Sequence, residues 1–346
     1  MIRKSALVPS TVLALLVAAC GTDAGSSTTA SVGGSEATAP AVSEELTVLL
    51  PVDSPNMYGF RVADAQGYFN EEGLEVSLEF VDGSGTVIQQ LLAGNGQIGS
   101  VGTGTVAEAL EEGHDNVRAI GNTNYGSVFL LTVPEDSDIQ TPEDLAGKRI
   151  GISELSGGEV PVVRGIVASA GLDPDSDVEL VPIGTGTALA VQAIDEAAVD
   201  AYGGSINDIV AVEVQGLDLR TLDPGDLSGV PALPLITTQE YIDASPEAVE
   251  GFLRAVARGA EYGQTNPDET LEILKEASPD QFTDETGEAI FTRVLDLWAP
   301  PEGELFHSQS VESWEYFFDI IAVQLPDGTD LDTIIVDDFV EAANDF

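Results

Sequence analysis

Residues able to attack, ligate or shuttle protons are sparse in this chain of 346 residues. It holds one cysteine, Cys20, and two histidines, His114 and His307. Past the N-terminal segment its lysines are Lys148 and Lys275. A lone thiol has no intrachain disulfide partner, and the histidines stand at no metal-ligand spacing, so each is expected at the surface or in a loop. No G-x-S-x-G elbow supplies a hydrolase nucleophile, and no G-x-x-x-x-G-K-[ST] loop cradles phosphate. Paired acids such as Glu111-Glu112 and Asp337-Asp338 read as solvated helix faces. The expectation is therefore no catalytic group, no metal and no cofactor.

What does recur is a set of small polar residues directly after apolar runs. They are Asp53-Ser-Pro-Asn-Met-Tyr58, Asp82-Gly-Ser-Gly-Thr86, Gly102-Thr-Gly-Thr105, Ser153-Glu-Leu-Ser-Gly-Gly158, Gly184-Thr-Gly-Thr187 and Gly203-Gly-Ser-Ile-Asn-Asp208. Glycine lets a backbone approach a ligand closely, and serine or threonine caps a helix while offering a hydroxyl. Helix N-termini in such places attract carboxylates, sulfonates or the electron-rich edge of a heterocycle. In open α/β sheets a ligand sits outside the C-terminal strand ends, which makes these segments the expected walls of one cleft. From the first half, the candidates are Asn56, Tyr58, Ser84, Gly85, Thr103 and Thr105. The later candidates are Asn124 and Tyr125, then Ser156, Gly157 and Gly158, then Thr185, Tyr202 and Asn207.

The elements that must hold these segments alternate. Leu46 to Leu50, Leu74 to Phe80 and Ile98 to Val101 read as strands, each followed by a helical stretch. Val128 to Val133 is a further strand, and Thr141-Pro-Glu-Asp144 is a helix start with Thr as N-cap and Pro in the first turn. Strands at Arg149 to Ile152, Val178 to Pro182 and Val199 to Tyr202 alternate with helices beginning near Glu159, Thr187 and Ile206. A strand near Leu233 to Thr238 precedes a mostly helical remainder. The fold class is α/β, with parallel sheets in two lobes.

Composition bounds the rest. Apolar residues make up 43% of the chain, enough for a substantial core, while 60 acidic residues face 12 basic ones for a net charge of -48. That surface repels phosphate backbones, so nucleic acid is excluded as a partner, and it suits a fold adapted to high salt. No D-x-D-x-D-G loop suggests calcium storage. At the N-terminus, Arg3 and Lys4 precede a short apolar stretch ending in Val17-Ala-Ala-Cys-Gly21, which resembles a bacterial lipobox. Residues 1–19 are thus expected to be a lipoprotein signal peptide and Cys20 the lipidated residue. Residues 20–44, rich in Gly, Ser, Thr and Ala, are expected to be a flexible tether.

Several ordered segments carry a family resemblance. Ala63, Gly67-Tyr-Phe69 and Glu72-Gly-Leu-Glu-Val76 resemble the opening signature of a solute-binding superfamily. That group holds the thiamin-precursor, alkanesulfonate and taurine binders of ABC importers. Leu91 to Gly99, Leu145-Ala-Gly-Lys-Arg-Ile-Gly151, Gly171-Leu-Asp-Pro174 and Val199-Asp-Ala-Tyr202 resemble its later elements, with Gln97 where Asp is common. The resemblance implies a type II periplasmic-binding fold in which two α/β lobes are joined by two crossing strands. Residues 45–131 with 235–346 would form one lobe and 132–234 the other, crossing near Phe129 to Pro134 and Val230 to Ile236. It also implies a small-molecule ligand, ABC permease subunits as partners, a monomer, and lipid anchoring outside the cytoplasm. Sulfonate binders need anion donors, for which Arg61, Arg118 and Arg164 are the candidates. Pyrimidine binders use stacking and amide hydrogen bonds, for which Asn56, Tyr58, Asn124, Tyr125 and Tyr202 are suited. A ligand-sensing lipoprotein without transport is an alternative. So is an enzyme like the thiamin-pyrimidine synthases, although their Cys-Cys-Cys-Phe-Cys run is missing.

Overall fold

The computed structural model describes residues 44–346 apart from 156, 187, 223–229 and 321–324. The expected signal peptide, Cys20, nearly all of the tether and Ser156 lie outside the described residues. Among the described residues, ten strands form two five-stranded sheets. The first takes β1 (Glu44–Leu50), β2 (Leu74–Phe80), β3 (Ile98–Ser100) and β4 (Val117–Asn122). The second takes β5 (Phe129–Pro134), β6 (Arg149–Ile152), β7 (Glu179–Pro182), β8 (Ala201–Ser205) and β9 (Leu219–Thr221). The last strand, β10 (Pro234–Thr238), returns to the first sheet, giving the orders β2-β1-β3-β10-β4 and β7-β6-β8-β5-β9. Each sheet has four strands running the same way and one inserted antiparallel strand, β10 or β5.

The sequence pattern explains which strands were visible. β2 sits at an edge and alternates buried and open positions, so its period of two is plain. β4 was not expected, because all six of its residues are buried and no alternation remains. Its outer edge is covered by Ile335, which bridges Ala119, and by Val336 N–H donating to Ala119 O at 2.8 Å. The three-residue β9 was missed for its brevity. β8 extends through Gly203 and Gly204, expected as a loop after it.

Helices follow the strands. α1 (Tyr58–Ala65) and α2 (Tyr68–Glu71) come after β1, α3 (Gly83–Leu92) after β2 and α4 (Thr103–Glu111) after β3. In the second sheet α5 (Glu159–Ser169), α6 (Ala188–Asp195) and α7 (Ile206–Val214) follow β6, β7 and β8. Pro161 is tolerated because it lies in the first turn of α5, where no N–H has an intrahelical partner. The helical remainder includes α8 (Gln239–Ala244), α9 (Pro246–Thr265), α10 (Pro267–Ala277), α11 (Thr286–Val294) and α12 (Val311–Ile320).

The passages between sheets lie slightly off the expected strands. Phe129–Pro134 pairs entirely within the second sheet, so residues 129–131, expected with the first lobe, belong there. The chain leaves the first sheet after Asn122 and returns to it at Pro234. The two passages run against each other: Tyr125 bridges Pro231, Gly126 N–H donates to Val230 O, and Thr123 N–H to Leu233 O. A hydrophobic core on one face of the first sheet includes Leu46, Val48, Leu50, Ile98 and Ile120. Another, around Ile183, Val199 and Ile209, lies in the second. A third joins the sheets: Leu49, Ala119 and Ile236 share it with Leu131, Val133 and Ile150, and with Trp314, Phe317 and Phe318 of α12.

Candidate functional site

Strand ends of the first sheet are linked by side-chain amides. Asn122, the last residue of β4, donates from Nδ2 to Asn124 O at 2.7 Å, and Asn124 Nδ2 donates to Asn56 Oδ1 at 3.1 Å. The Trp298 indole N–H donates to Asn56 O at 2.9 Å. Asn122, Asn124 and Asn56 are all buried, and Asn122 Oδ1 has no partner among the described residues. Ser54 extends the chain of contacts into the second sheet. Its hydroxyl accepts from Asn56 N–H at 3.2 Å and donates to Asn207 Oδ1 at 3.1 Å, on the first turn of α7. Of the expected residues, Asn56, Asn124 and Asn207 are therefore brought together, with Ser54 as the link between Asn56 and Asn207.

A second polar group lies where α3 and α4 begin. Gly102 N–H donates to Ser84 Oγ at 3.0 Å, and half-buried Thr105 lies one turn away. Thr103 is buried, its hydroxyl donating to Pro231 O on the returning passage. Gly85 and Thr185 are exposed and stand apart from these contacts. In the second sheet, buried Glu159 accepts from Ser153 N–H at 2.8 Å and from the Ser153 hydroxyl at 2.5 Å. Asp208 closes a capping box with Ser205 and accepts from Gly186 N–H at 3.2 Å, which ties the loops after β7 and β8 together. Gly157 and Gly158 belong to the loop that folds over Glu159 and Phe129.

The tyrosines depart from expectation. Tyr58 is wholly buried, its ring 5.0 Å from Trp298 and 5.7 Å from Phe291 between centroids, and its hydroxyl bonds Leu295 O. A Cβ on Gly263 would lie 2.3 Å from the Tyr58 ring, so glycine there is what seats the ring against α9. Tyr202 is likewise buried, in the second sheet's own core, with its hydroxyl donating to Gly184 O at 3.3 Å. Burial pushes both phenols far above their ordinary range. Both are packing residues: a tyrosine near a strand end can face either way, and these face inward. Tyr125 is half-buried on the first passage, with its hydroxyl donating to Leu305 O at 3.2 Å.

The arginines are engaged elsewhere. Arg61 pairs with Asp53 at 3.0 Å, bonds Ser278 and lies over the Phe80 ring. Arg118 bonds Gln239 and two backbone carbonyls, and Arg164 pairs with Asp175. His307, expected at the surface or in a loop, lies in a turn but is only 2% exposed. Its Nδ1 lies 3.1 Å from Asn122 O and its Nε2 2.8 Å from Leu253 O. His114 is open to solvent, as expected.

Amides, hydroxyls and helix N-termini from both sheets thus gather at these strand ends. A family model described as NMT1/THI5 like matches residues 54–270, which takes in the strand ends of both sheets. The chain belongs to this family. The NMT1/THI5-like chain is 29% identical over 265 residues to the formylaminopyrimidine-binding protein of Halalkalibacterium halodurans, covering 73% of this chain and 77% of that one. It is 30% identical over 250 residues to 4-amino-5-hydroxymethyl-2-methylpyrimidine phosphate synthase of Legionella pneumophila, covering 69% and 74%. Its fold matches the periplasmic aliphatic sulphonate binding protein SsuA of Escherichia coli with a TM-score of 0.66 at 17% identity, over 81% of this chain and 86% of that one. The fold is thus the type II periplasmic-binding fold.

Within this NMT1/THI5-like site, sequence reasoning passed over Ser54, Asn122, Glu159, Asp208 and His307. Ser54 and Asp208 lie inside the polar strand-end segments and were legible as members of them, and Glu159 directly follows another. Asn122 was hidden because β4 was not recognised. Nothing near His307 in sequence signals that its partners come from β4 and α9.

Proposed function

We propose that this chain is the extracytoplasmic solute-binding component of an ABC importer, closing two lobes on a planar, nearly neutral pyrimidine-like nutrient. The lobes follow the sheets, residues 45–122 with 234–346 against 129–221, and the paired passages between them form the hinge. The observation that carries the reading is the Asn122–Asn124–Asn56 amide chain, continued through Ser54 to Asn207, at facing strand ends of both sheets. Such groups recognise the donor and acceptor edge of a heterocycle, and lobe closure strengthens each contact by excluding water.

The relative named for formylaminopyrimidine binding supports this ligand class. A sulfonate would gain most from an arginine donor beside the helix N-termini, and Arg61, Arg118 and Arg164 are each held by other partners. A synthase-like activity has little support in the lysines: Lys148 precedes β6, away from its C-terminal end, and Lys275 pairs with Glu272 and Glu288. Cys20 would carry a lipid that leashes a monomeric protein near its permease, raising its local concentration there.

The test is calorimetry on the full chain with 4-amino-5-hydroxymethyl-2-methylpyrimidine, taurine and an alkanesulfonate, beside membrane fractionation of Cys20→Ala. Binding of the pyrimidine alone, recovered chemically unchanged, is expected, with Cys20→Ala moving to the soluble fraction. Sulfonate binding without pyrimidine binding, or turnover of the pyrimidine, overturns the ligand reading. A membrane-bound Cys20→Ala protein overturns the anchor.

A further inference from the structure

The first passage is held from two sides that meet at one residue. Tyr125 is tied to a segment late in the chain: its N–H donates to Leu297 O at 2.7 Å and its hydroxyl to Leu305 O at 3.2 Å. The same segment holds the end of β4. Asn122 N–H bonds His307 O at 3.2 Å, and Gln309 Nε2 donates to Ala119 O at 2.8 Å. A Cβ on Gly121 would lie 2.8 Å from His307 Cβ, so the segment lies flush against the strand. Residues 297–309 thus splint β4 and the start of the passage together.

The return passage is tied to the same side. Pro231 O accepts from the Thr103 hydroxyl, Ala232 N–H donates to Asn124 O at 3.2 Å, and Thr123 N–H to Leu233 O at 3.2 Å. Past Gly126 the bonds pass to the second sheet. Ser127 Oγ donates to Phe129 O at 2.6 Å and accepts from Phe129 N–H at 3.1 Å. Val128 O accepts from Ile206 N–H at 2.9 Å, and Phe129 pairs with Ser205 of β8. Gly126 stands at the join with a φ of +108°, a conformation that a residue bearing a Cβ rarely adopts.

We infer that Gly126 is the pivot of lobe movement on the outgoing passage. The passage ahead of it, with Val230 to Leu233 of the return, moves with the first lobe, and Ser127 onward moves with the second. The hinge is then a point at the edge of the splint rather than a pair of strands that flex along their length. A glycine there absorbs the change in φ that lobe rotation demands, without strain at either clamped end. Val128 and Ile206, beyond the pivot, are buried in the first sheet's core, to which α7 also lends Val210. Rotation displaces an atom in proportion to its distance from the axis, so Val128 moves little while Val214, farther along α7, moves more. The inference rests on the reading of two lobes that close on a solute.

The experiment measures the distance between spin labels on Glu75→Cys and Glu179→Cys, exposed positions on the edge strands β2 and β7. The full chain carries Cys20→Ser as well, and no ligand is added. Gly126→Ala is compared with this parent and with Gly113→Ala, which places similar strain (φ of +89°) in an exposed turn after α4. Melting temperatures are measured in parallel. Gly126→Ala should move the mean distance by roughly 3 Å or more, since a rotation of about 10° displaces a point about 20 Å away by that much. Gly113→Ala should lower the melting temperature and leave the distance where it was. An unmoved distance in a folded Gly126→Ala protein, or an equal movement in Gly113→Ala, overturns the pivot. Should Gly126→Ala fail to fold, Ser127→Ala decides: loss of its two bonds lengthens the free link and should broaden the distance distribution, and an unbroadened one overturns the pivot. Adding 4-amino-5-hydroxymethyl-2-methylpyrimidine to the parent tests the underlying reading separately. A distance unchanged by the pyrimidine counts against closure on that ligand, while the pivot is decided by the ligand-free comparison.

Discussion

His307 shows how a single side chain can act behind a site. Both of its ring nitrogens face carbonyl oxygens, and Asn122 N–H returns a bond of 3.2 Å to His307 O. A neutral imidazole donates through one nitrogen, so one carbonyl faces a lone pair; protonation would supply the second donor. Burial opposes that charge and outweighs both carbonyls, holding the imidazole below its ordinary range. A histidine depressed in the folded state adds stability above its unfolded pKa of about 6.5, and loses it as pH falls through the lower folded value. His307→Gln should therefore remove part of the acid sensitivity. The difference in melting temperature between variant and wild type should narrow from pH 7 to pH 5. A difference that is constant with pH would mean that folding leaves the imidazole's proton affinity unchanged, against the depression argued here. Asn56, Asn124 and Asn207 were legible as strand-end amides, whereas Asn122, the asparagine that touches His307, was not. The inward turn of Tyr58 and Tyr202 was not, because it depends on Trp298 and on Gly184, residues far away in sequence.

Among elements, α12 has the most distributed role. Trp314 is fully buried, lies edge-on to Phe318 at 5.7 Å, and shares one core with Ala107 and Leu110 of α4 and Val163 and Ile166 of α5. The helix therefore packs against helices of both sheets and couples the lobes through one shared core. Trp314→Ala should cost about 3–5 kcal/mol in urea unfolding, as large aromatic truncations in cores do. The indole N–H has no partner among the described residues, so Trp314→Phe keeps a ring and removes an orphaned donor. It should cost much less than the alanine variant; equal losses would mean that the N–H is bonded after all. The sequence announced helical structure in this region but not its position. Apolar spacing shows that a helix has a buried face and is silent about which elements cover it. The edge strand β2, by contrast, was legible because one face of it meets water.

Across the whole molecule, charge sets how stability responds to its surroundings. Of the cations described, Arg61, Arg149, Arg164, Arg254, Arg258, Arg293 and Lys275 are already in ion pairs with carboxylates. With 60 acidic residues against 12 basic ones, most carboxylates have only other carboxylates for charged neighbours. Salt screens both kinds of interaction, weakening the few attractive pairs and the many repulsive ones together. Exposed pairs contribute about 0–1 kcal/mol each, so relief of repulsion should win. The Debye length falls from about 10 Å at 0.1 M salt to about 3 Å at 1 M, which spans the spacing of neighbouring surface carboxylates. The melting temperature should therefore rise steadily between these concentrations of sodium chloride. To separate screening from a general salting-out of apolar surface, the same titration belongs on a variant in which exposed acids far from the cleft, such as Glu111, Glu112 and Asp332, become glutamine or asparagine. That variant should melt higher at low salt and gain less from added salt, because it has less repulsion to relieve. Parallel curves for the two proteins would assign the stabilisation to solvent exclusion and leave the acidic surface without a role in stability.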